Sequence, residues 1–87
     1  MNMNDDIIKK LLELGFIEPM YKLYDIPSFS YGADIVELFG ADTWVYLEYI
    51  GYEKNKSGLI PKYNTHKFKT VDELMELIKK FRSNLIK

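Results

Sequence analysis

The chain has 87 residues, with 12 basic residues against 13 acidic ones and a formal net charge of −1. A chain of this length is predicted to form a single domain, residues 1–87, with a small core, which excludes a multidomain machine and leaves little room for a deep cleft. The absence of cysteine excludes disulfides, thiolate metal sites and cysteine nucleophiles, and favours a cytoplasmic location. The polar N-terminal segment lacks a signal-peptide pattern, and no apolar run is long enough to span a membrane.

The charged residues are separated along the chain. Residues 23–53 contain six acidic residues and no basic ones, whereas residues 54–87 contain nine basic and three acidic residues. Such separation is typical of a polarised surface. If antiparallel strands place the two segments side by side, cross-strand pairs would instead neutralise the opposite charges. Both interpretations stay open.

The first predicted element is a helix from Asn4 to Gly15. Its apolar residues recur at helical spacing, at Ile7, Ile8, Leu11, Leu12 and Leu14. Asn4 is a suitable N-cap, two aspartates follow it where the helix dipole favours them, and Gly15 suits the left-handed position that ends a helix. The pattern predicts one amphipathic helix at this end of the chain.

Residues 16–34 are predicted to be irregular or to hold one short strand near Tyr21–Ile26. Beyond them the apolar pattern changes to alternation, which predicts strands at Ile35–Phe39, Thr43–Tyr52 and Lys62–Lys69. The spacing of Ile35, Leu38 and Phe39 also fits a short helix, so this alternative stays open for the first of the three. The lysines and the proline of the last strand are typical of a strand at the edge of a sheet.

A second helix is predicted after the capping-box sequence from Thr70 to Glu73. Its apolar stripe consists of Leu74, Leu77, Ile78, Phe81 and Leu85. Together the elements predict an α+β fold: an N-terminal helix, an antiparallel meander of three to four strands and a C-terminal helix, with both helices packed on one face of the sheet.

Alternation along the strand Thr43–Tyr52 predicts two unlike faces. The aliphatic set, which suits packing against the helices, consists of Val45, Leu47 and Tyr49. The set on the other face is Trp44, Tyr46, Glu48, Ile50 and Tyr52. A two-residue turn at Ala41 and Asp42 would add three residues of the preceding strand to this second set. They are Ile35, Glu37 and Phe39.

This predicted acidic and aromatic face indicates a protein partner. Tryptophan and tyrosine are frequent anchors at interfaces, and flanking carboxylates favour a partner with a basic surface. The candidate partner-binding residues are Trp44, Tyr46, Glu48, Tyr52, Glu37 and Asp42. Two alternatives stay open: residues 16–34 fold over this face as part of the core, or the face joins two copies in a homodimer.

Nucleic-acid binding is the alternative function. Its candidate residues are Lys62, Tyr63, Lys67 and Lys69. A basic strand with aromatic side chains can hold a single strand by charge and stacking. The net negative charge and the single arginine of the chain argue against this alternative.

No pattern in the chain indicates catalysis, a cofactor or a metal. His66 is the only histidine and has no evident partner, and no serine lies in a strand–serine–helix elbow. The adjacent acidic pairs lie at predicted helix N-termini, where the helix dipole accounts for them. The glycines are isolated and match no phosphate-binding loop. The protein is therefore predicted to be non-enzymatic, without a cofactor and with no metal site.

In general make-up the chain is similar to small inhibitors carried by phages and mobile elements, including anti-CRISPR proteins. The shared features are short length, absence of cysteine, one α+β domain, and acidic and aromatic surface residues. The similarity implies an inhibitor of a nucleic-acid enzyme. No motif in the chain defines such a family, so the similarity assigns a role to no residue.

Overall fold

The fold is a four-stranded antiparallel meander between two helices. The computed structural model describes residues 3–20 and 25–85. The elements are α1 (Met3–Leu14), β1 (Ser28–Tyr31), β2 (Asp34–Phe39), β3 (Thr43–Asn55), β4 (Gly58–Phe68) and α2 (Val71–Phe81), followed by a 3₁₀ turn at Ser83–Leu85. The strand order in the sheet is β1-β2-β3-β4, so β4 is an edge strand, as its lysines and proline predict. The predicted α+β architecture is confirmed.

Helix α1 ends in the way that its glycine predicts. Gly15 has a φ of +102°, a left-handed conformation that favours glycine. The N–H of Phe16 donates to the carbonyl of Leu11 at 2.9 Å, which is the long hydrogen bond of a Schellman motif. The chain thereby reverses and brings Phe16 back into the core.

The predicted start of α1 is wrong. The helix begins at Met3, so Asn4 lies inside it instead of capping it. The side-chain amide of Asn4 binds the loop between β2 and β3: it donates to the carbonyl of Ala41 and accepts from the indole of Trp44, both at 3.0 Å. The local pattern assigned the side-chain amide of Asn4 to capping the helix, but this amide instead binds Ala41 and Trp44.

Helix α2 begins with the predicted capping box. The hydroxyl of Thr70 accepts a hydrogen bond from the N–H of Glu73 at 3.1 Å. The Glu73 carboxylate accepts from the N–H of Lys69 at 3.2 Å, one residue before the usual position. Two N–H groups near the start of the helix thus gain partners.

Replacing Thr70 by alanine is expected to lower the free energy of unfolding by about 1 kcal/mol, because the N–H of Glu73 loses its acceptor. Urea denaturation of the wild type and the variant measures this loss. The matched control is Thr70→Ser, which keeps the hydroxyl and should stay within about 0.5 kcal/mol of the wild type. Equal losses in the two variants would show that the methyl group of Thr70, and not its hydroxyl, stabilises the helix.

The turn between β2 and β3 corrects the predicted register. Phe39 pairs with Thr43 and Leu38 with Trp44, so the turn contains three residues, with Gly40 before the two expected ones. Gly40 has a φ of +87°, which glycine adopts readily. A shift of one residue turns every side chain of β3 to the other face relative to β2. The predicted assignment of β3 to its two faces is therefore wrong.

Both helices cover one face of the sheet, as predicted, but it is the face that carries Trp44 and Tyr46. These two side chains are fully buried. The core around them contains Ile7 and Leu11 of α1, Val36 and Phe68 of the sheet, and Leu74 and Ile78 of α2. We call this the helix side of the sheet.

Residues 16–34 contribute to this core, in agreement with one of the alternatives. Phe16 contacts Tyr46 edge to face at 6.2 Å, and Phe29 contacts Trp44 at 6.3 Å between ring centroids. Phe29 belongs to β1, which lies later in the chain than the predicted short strand. Most of that predicted strand, residues 21–24, lies outside the described residues.

Strands β3 and β4 extend beyond the other strands. The register shifts between Tyr49 and Gly51, where β3 contains one extra residue. Past this bulge the two strands continue alone to a two-residue turn after Asn55. We call residues 50–63 the arm. Its strands account for much of the longest dimension of the molecule, 46 Å. In the part of the chain that the structure describes, no helix is long and apolar enough to cross a membrane.

Candidate functional site

Trp44, the first predicted partner-binding residue, is not at the surface. It is 0% exposed, and its ring stacks on Phe68 with 6.3 Å between centroids. Its only polar atom, the indole nitrogen, donates to Asn4 of α1. A buried indole N–H needs such a partner, and α1 supplies it. The predicted role of Trp44 as an interface anchor is therefore wrong: it joins α1 to the sheet.

Tyr46 is also 0% exposed, and its predicted role at the surface is equally wrong. Its hydroxyl donates to Asp34 at 2.7 Å. Asp34 is a buried carboxylate, only 2% exposed, that also accepts the N–H of Tyr49 at 2.9 Å. Arg82, just after α2, completes the group with Nε at 2.6 Å and a terminal nitrogen at 2.8 Å from the two oxygens. The carboxylate thus accepts three hydrogen bonds and forms an ion pair with the guanidinium.

The protonation states of this cluster suit its geometry. Burial raises the pKa of Tyr46 well above its usual range, and the hydrogen bond to Asp34 raises it further, so the hydroxyl stays a donor. The hydrogen bond to Asp34 also raises the pKa of Arg82. A charged guanidinium that binds both carboxylate oxygens is the strong form of this pair. The cluster ties the end of α2 to the start of β2.

Glu48 lies on the helix side, beside this cluster, and its side chain is 14% exposed. Its carboxylate is 3.3 Å from Nε2 of His66 and 3.4 Å from the amide of Asn64. The His66 ring stacks on Phe81 of α2 with 4.4 Å between centroids. His66, which has no evident partner in the sequence, thus gains two through the tertiary structure.

The other three predicted partner-binding residues lie far apart. Tyr52 is exposed on the arm, and Asp42 is exposed in the turn after β2. Glu37 lies on the face of the sheet opposite the helices, where it pairs with Val45 across the strands. The six predicted residues therefore do not form one surface.

The four residues of the nucleic-acid alternative are also divided. Tyr63 and Lys67 share the face opposite the helices, because alternation along β4 places them on the same side. Lys62 lies on the other side of the arm, 3.7 Å from Glu53. Lys69 follows the end of β4 and lies 4.0 Å from Asp42.

The face of the sheet opposite the helices carries the aliphatic set of β3 side chains, which the sequence pattern predicted to pack against the helices. We call it the open face. Its residues are Ile35, Glu37 and Phe39 of β2, Val45, Leu47 and Tyr49 of β3, and Tyr63, Thr65 and Lys67 of β4. Among residues 3–20 and 25–85, the main core cluster contains none of them, and only Val45, at 8% exposed, is itself buried. Phe39 is 63% exposed, so an apolar ring faces solvent here.

The open face continues along the arm. Alternation from Tyr63 places Pro61 and Leu59 on the same side, and their cross-strand partners are Tyr52 and Lys54. Leu59 and Tyr52 are both more than 60% exposed. The apolar surface therefore runs from the sheet to the end of the arm.

Two signals in the sequence point to this surface. Ala41 and Asp42 are unsuited to a two-residue hairpin turn, whereas a glycine precedes them directly. A three-residue turn puts Phe39 beside Val45 and Leu47 on one face. The large rings of Trp44 and Tyr46 then lie between the sheet and the helices.

An apolar pocket marks the sheet end of the open face. It has a volume of about 250 Å³ and is lined by Ile26, Glu37, Leu38, Phe39, Val45, Thr65 and Lys67. Lys67 holds its ammonium 5.7 Å from the centre of the Phe39 ring. Glu37 has no side-chain ion pair or hydrogen bond with the residues that the structure describes. Among those residues no group of three or more metal-binding side chains converges.

Comparison with models of protein families, with curated proteins and with solved structures finds no match to this chain.

Proposed function

We propose that this chain is a protein-binding module whose contact surface is the open face. The proposal depends on one observation: apolar and aromatic side chains line the sheet and the arm on the side away from the helices, and the most exposed of them are Phe39, Tyr52 and Leu59. Contiguous apolar surface of this kind is typical of protein interaction sites. Single exposed apolar residues would not support the proposal, but Phe39, Tyr52 and Leu59 lie along the same side.

The chemistry of the open face supports a protein partner. Tyrosine and phenylalanine provide large, stiff contact areas, and they are enriched at interfaces. Tyr49 and Tyr63 lie edge to face with 6.0 Å between centroids, so neither ring has to be ordered anew on binding. Glu37 and Lys67 flank Val45, which gives the surface opposite charges around an apolar centre.

The narrower expectation, an inhibitor of a nucleic-acid enzyme, depended on exposed rings at Trp44 and Tyr46. Because both rings are buried, that surface is not available to a partner. We therefore propose protein binding without specifying inhibition.

Single-stranded nucleic acid is the second candidate, because Tyr63 and Lys67 lie together on the open face. The cations of the candidate set already have contacts: Lys62 with Glu53, Lys67 with Phe39 and Lys69 with Asp42. Glu37 would also repel phosphates at the centre of the surface. These contacts favour a protein partner.

A photo-crosslinking amino acid at Leu47 tests the proposal in living cells. The expected result is a covalent adduct with a polypeptide, because Leu47 lies within the open face. The matched control carries the same group at Lys9, which is exposed on α1 on the helix side of the sheet, and should give no such adduct. Phe39→Glu, combined with the Leu47 probe, should lower the adduct yield by roughly tenfold or more, since a buried unpaired carboxylate is costly.

The adducts are identified by mass spectrometry with and without nuclease treatment. An adduct that nuclease removes would establish the nucleic-acid candidate and exclude the proposal. Equal yields from the two probe positions would show non-specific contact and would exclude it as well.

A further inference from the structure

Two outer edges of the sheet carry features that hinder pairing with another chain. Strand β1 is short, and its outer edge is covered where Ile17 and Ser30 exchange two hydrogen bonds, at 2.9 and 2.8 Å. The outer edge of β4 carries Pro61, which has no N–H to donate, and exposed lysines such as Lys67. A short strand, a proline and lysines are common protections of edge strands.

A third edge, on the arm, lacks such protection. Strand β2 pairs with β3 only as far as Leu47, so residues 50–55 have β4 on one side and no described strand on the other. We call this side of residues 50–55 the free edge. It contains no proline, and Ile50, Tyr52 and Lys54 are exposed along it. An edge of this kind is a template for an extended chain.

The backbone groups of Tyr52 and Lys54 are directed to the free edge. Tyr52 is opposite Pro61, which cannot donate, so these two residues do not exchange hydrogen bonds. Because bonded pairs alternate along an antiparallel ladder, the N–H and C=O of both Tyr52 and Lys54 point away from β4. Before the bulge the N–H of Tyr49 also points to this side, where it donates to Asp34.

The side chains along the free edge indicate what an added strand would carry. Tyr52 and Lys54 lie on the open face, and the Tyr52 side chain is 63% exposed. Lys54 forms no ion pair with a described residue, whereas Glu53 is already 3.7 Å from Lys62. Residues directly opposite each other on paired strands are close enough for apolar contact and for charge pairing. The complement is an acidic residue two positions from an apolar one.

We propose that the partner of this protein binds as an extended strand that pairs antiparallel with the free edge. An acidic side chain of the partner lies opposite Lys54 and an apolar one opposite Tyr52. Main-chain hydrogen bonds supply affinity, and alternate side chains supply specificity. The added strand also supports the arm, because a two-stranded ribbon is marginally stable in water. The proposal rests on the protein-binding function above and names the form and chemistry of its partner.

Selection of random linear peptides on the immobilised full chain tests the partner chemistry. The selected peptides are expected to share an acidic residue two positions from an aromatic or aliphatic one. The same selection on Lys54→Glu should replace the acidic residue by lysine or arginine, because the opposite charge is reversed. The control Lys9→Glu reverses an exposed charge on α1 and should leave the acidic preference unchanged.

Backbone pairing has a separate signature in the selected peptide that binds best. N-methylation of one amide at a time is expected to weaken binding by roughly tenfold or more at every second residue only, because alternate N–H groups of a strand face its neighbour. This pattern is measured on the unaltered protein by fluorescence anisotropy, so it does not depend on the folding of any variant.

Two proline variants then locate the edge. Lys54→Pro removes an outward N–H of β3 and should weaken peptide binding by roughly tenfold or more. The matched control Leu59→Pro removes an N–H from the other side of the arm, in the residue opposite Lys54, and should change the affinity by less than about threefold. Circular dichroism verifies that both variants fold.

A selection that yields no binding peptide, peptides without the acidic residue, or methylation effects without a period of two would each overturn the strand addition. Equal losses in the two proline variants would overturn it as well. A dimer in sedimentation velocity that Lys54→Pro abolishes would show that a second copy occupies the free edge, and would exclude the acidic partner.

The Leu47 probe separates this proposal from the protein-binding function. If the probe captures a polypeptide and Lys54→Pro does not lower the adduct yield, the partner binds the open face without adding a strand. The strand addition is then excluded, while the protein-binding function stands. If the probe captures no polypeptide, both are excluded.

Discussion

Replacing Arg82 by leucine is expected to lower the free energy of unfolding by about 3 kcal/mol. The substitution removes the guanidinium and leaves the carboxylate of Asp34 buried without a counter-charge. It also removes the hydrogen bond from the guanidinium to the carbonyl of Phe81. Breaking a buried ion pair typically costs about 3–5 kcal/mol, and the lower end applies because the Arg82 side chain is 30% exposed. Urea denaturation followed by circular dichroism measures the loss, which is a large share of the total stability of a domain of this size.

A double-mutant cycle with Asp34→Asn tests the cause. With a neutral amide at position 34, Arg82→Leu should cost about 1–3 kcal/mol less than it does in the wild type. The control Lys79→Leu removes an exposed charge from the last turn of the same helix and should change stability by less than about 0.5 kcal/mol. Additive effects in the cycle would mean that Arg82 stabilises the fold through its packing and not through Asp34.

Replacing Trp44 by alanine is expected to lower the free energy of unfolding by about 3–5 kcal/mol. The indole is fully buried between Phe29 and Phe68, so its removal leaves a large cavity. The substitution also leaves Asn4 without the N–H group that it binds. Thermal and urea denaturation measure the loss, and we expect a marginally folded or unfolded chain at 37 °C.

The matched control is Phe39→Ala, which removes an aromatic ring from the open face. Because that ring is mostly exposed, its loss should change the free energy of unfolding of the monomer by less than about 1 kcal/mol. A similar loss in the two variants would contradict the assignment of Trp44 to the core and of Phe39 to the surface. The same pair would separate folding from the proposed binding, since Phe39 variants are expected to stay folded and to weaken the proposed contact.

These predictions assign separate roles to the two faces of the sheet. Trp44, Tyr46 and the Asp34–Arg82 pair hold the helices on one side. On the other side only Val45 is buried among the open-face residues, and this is the side that we propose as the binding surface. Variants for functional studies therefore belong on the open face and on the arm, where a loss of binding does not follow from a loss of structure.

The arm was only partly predictable from the sequence. The strand Thr43–Tyr52 and the turn residues after it were evident from β-branched and aromatic residues and from a turn cluster. The bulge at Tyr49 and Gly51, and the length of β4, follow from pairing between distant residues. Local patterns contain no information on how far two strands continue together beyond the rest of a sheet.

The sequence by itself determined the two helices, the two long strands and their order along the chain, but it left the number of strands at three to four and did not locate β1. Helix periodicity, the capping box at Thr70, the glycine after α1 and alternation in the middle segment are local properties, and local geometry decides them. For the same reason the edge position of β4 was evident from its lysines and its proline.

Only the tertiary structure decided which face of the sheet is buried. The turn at Gly40 is one residue longer than the predicted one. A shift of one residue in the strand register moves every side chain of a strand to the opposite face of the sheet. The sequence pattern predicted Trp44 and Tyr46 as surface anchors because their side chains are amphipathic and suit either the core or an interface. Their burial depends on Asn4 and Asp34, which supply partners for their polar atoms. Those partners lie 40 and 12 residues away along the chain, beyond the range of any local pattern.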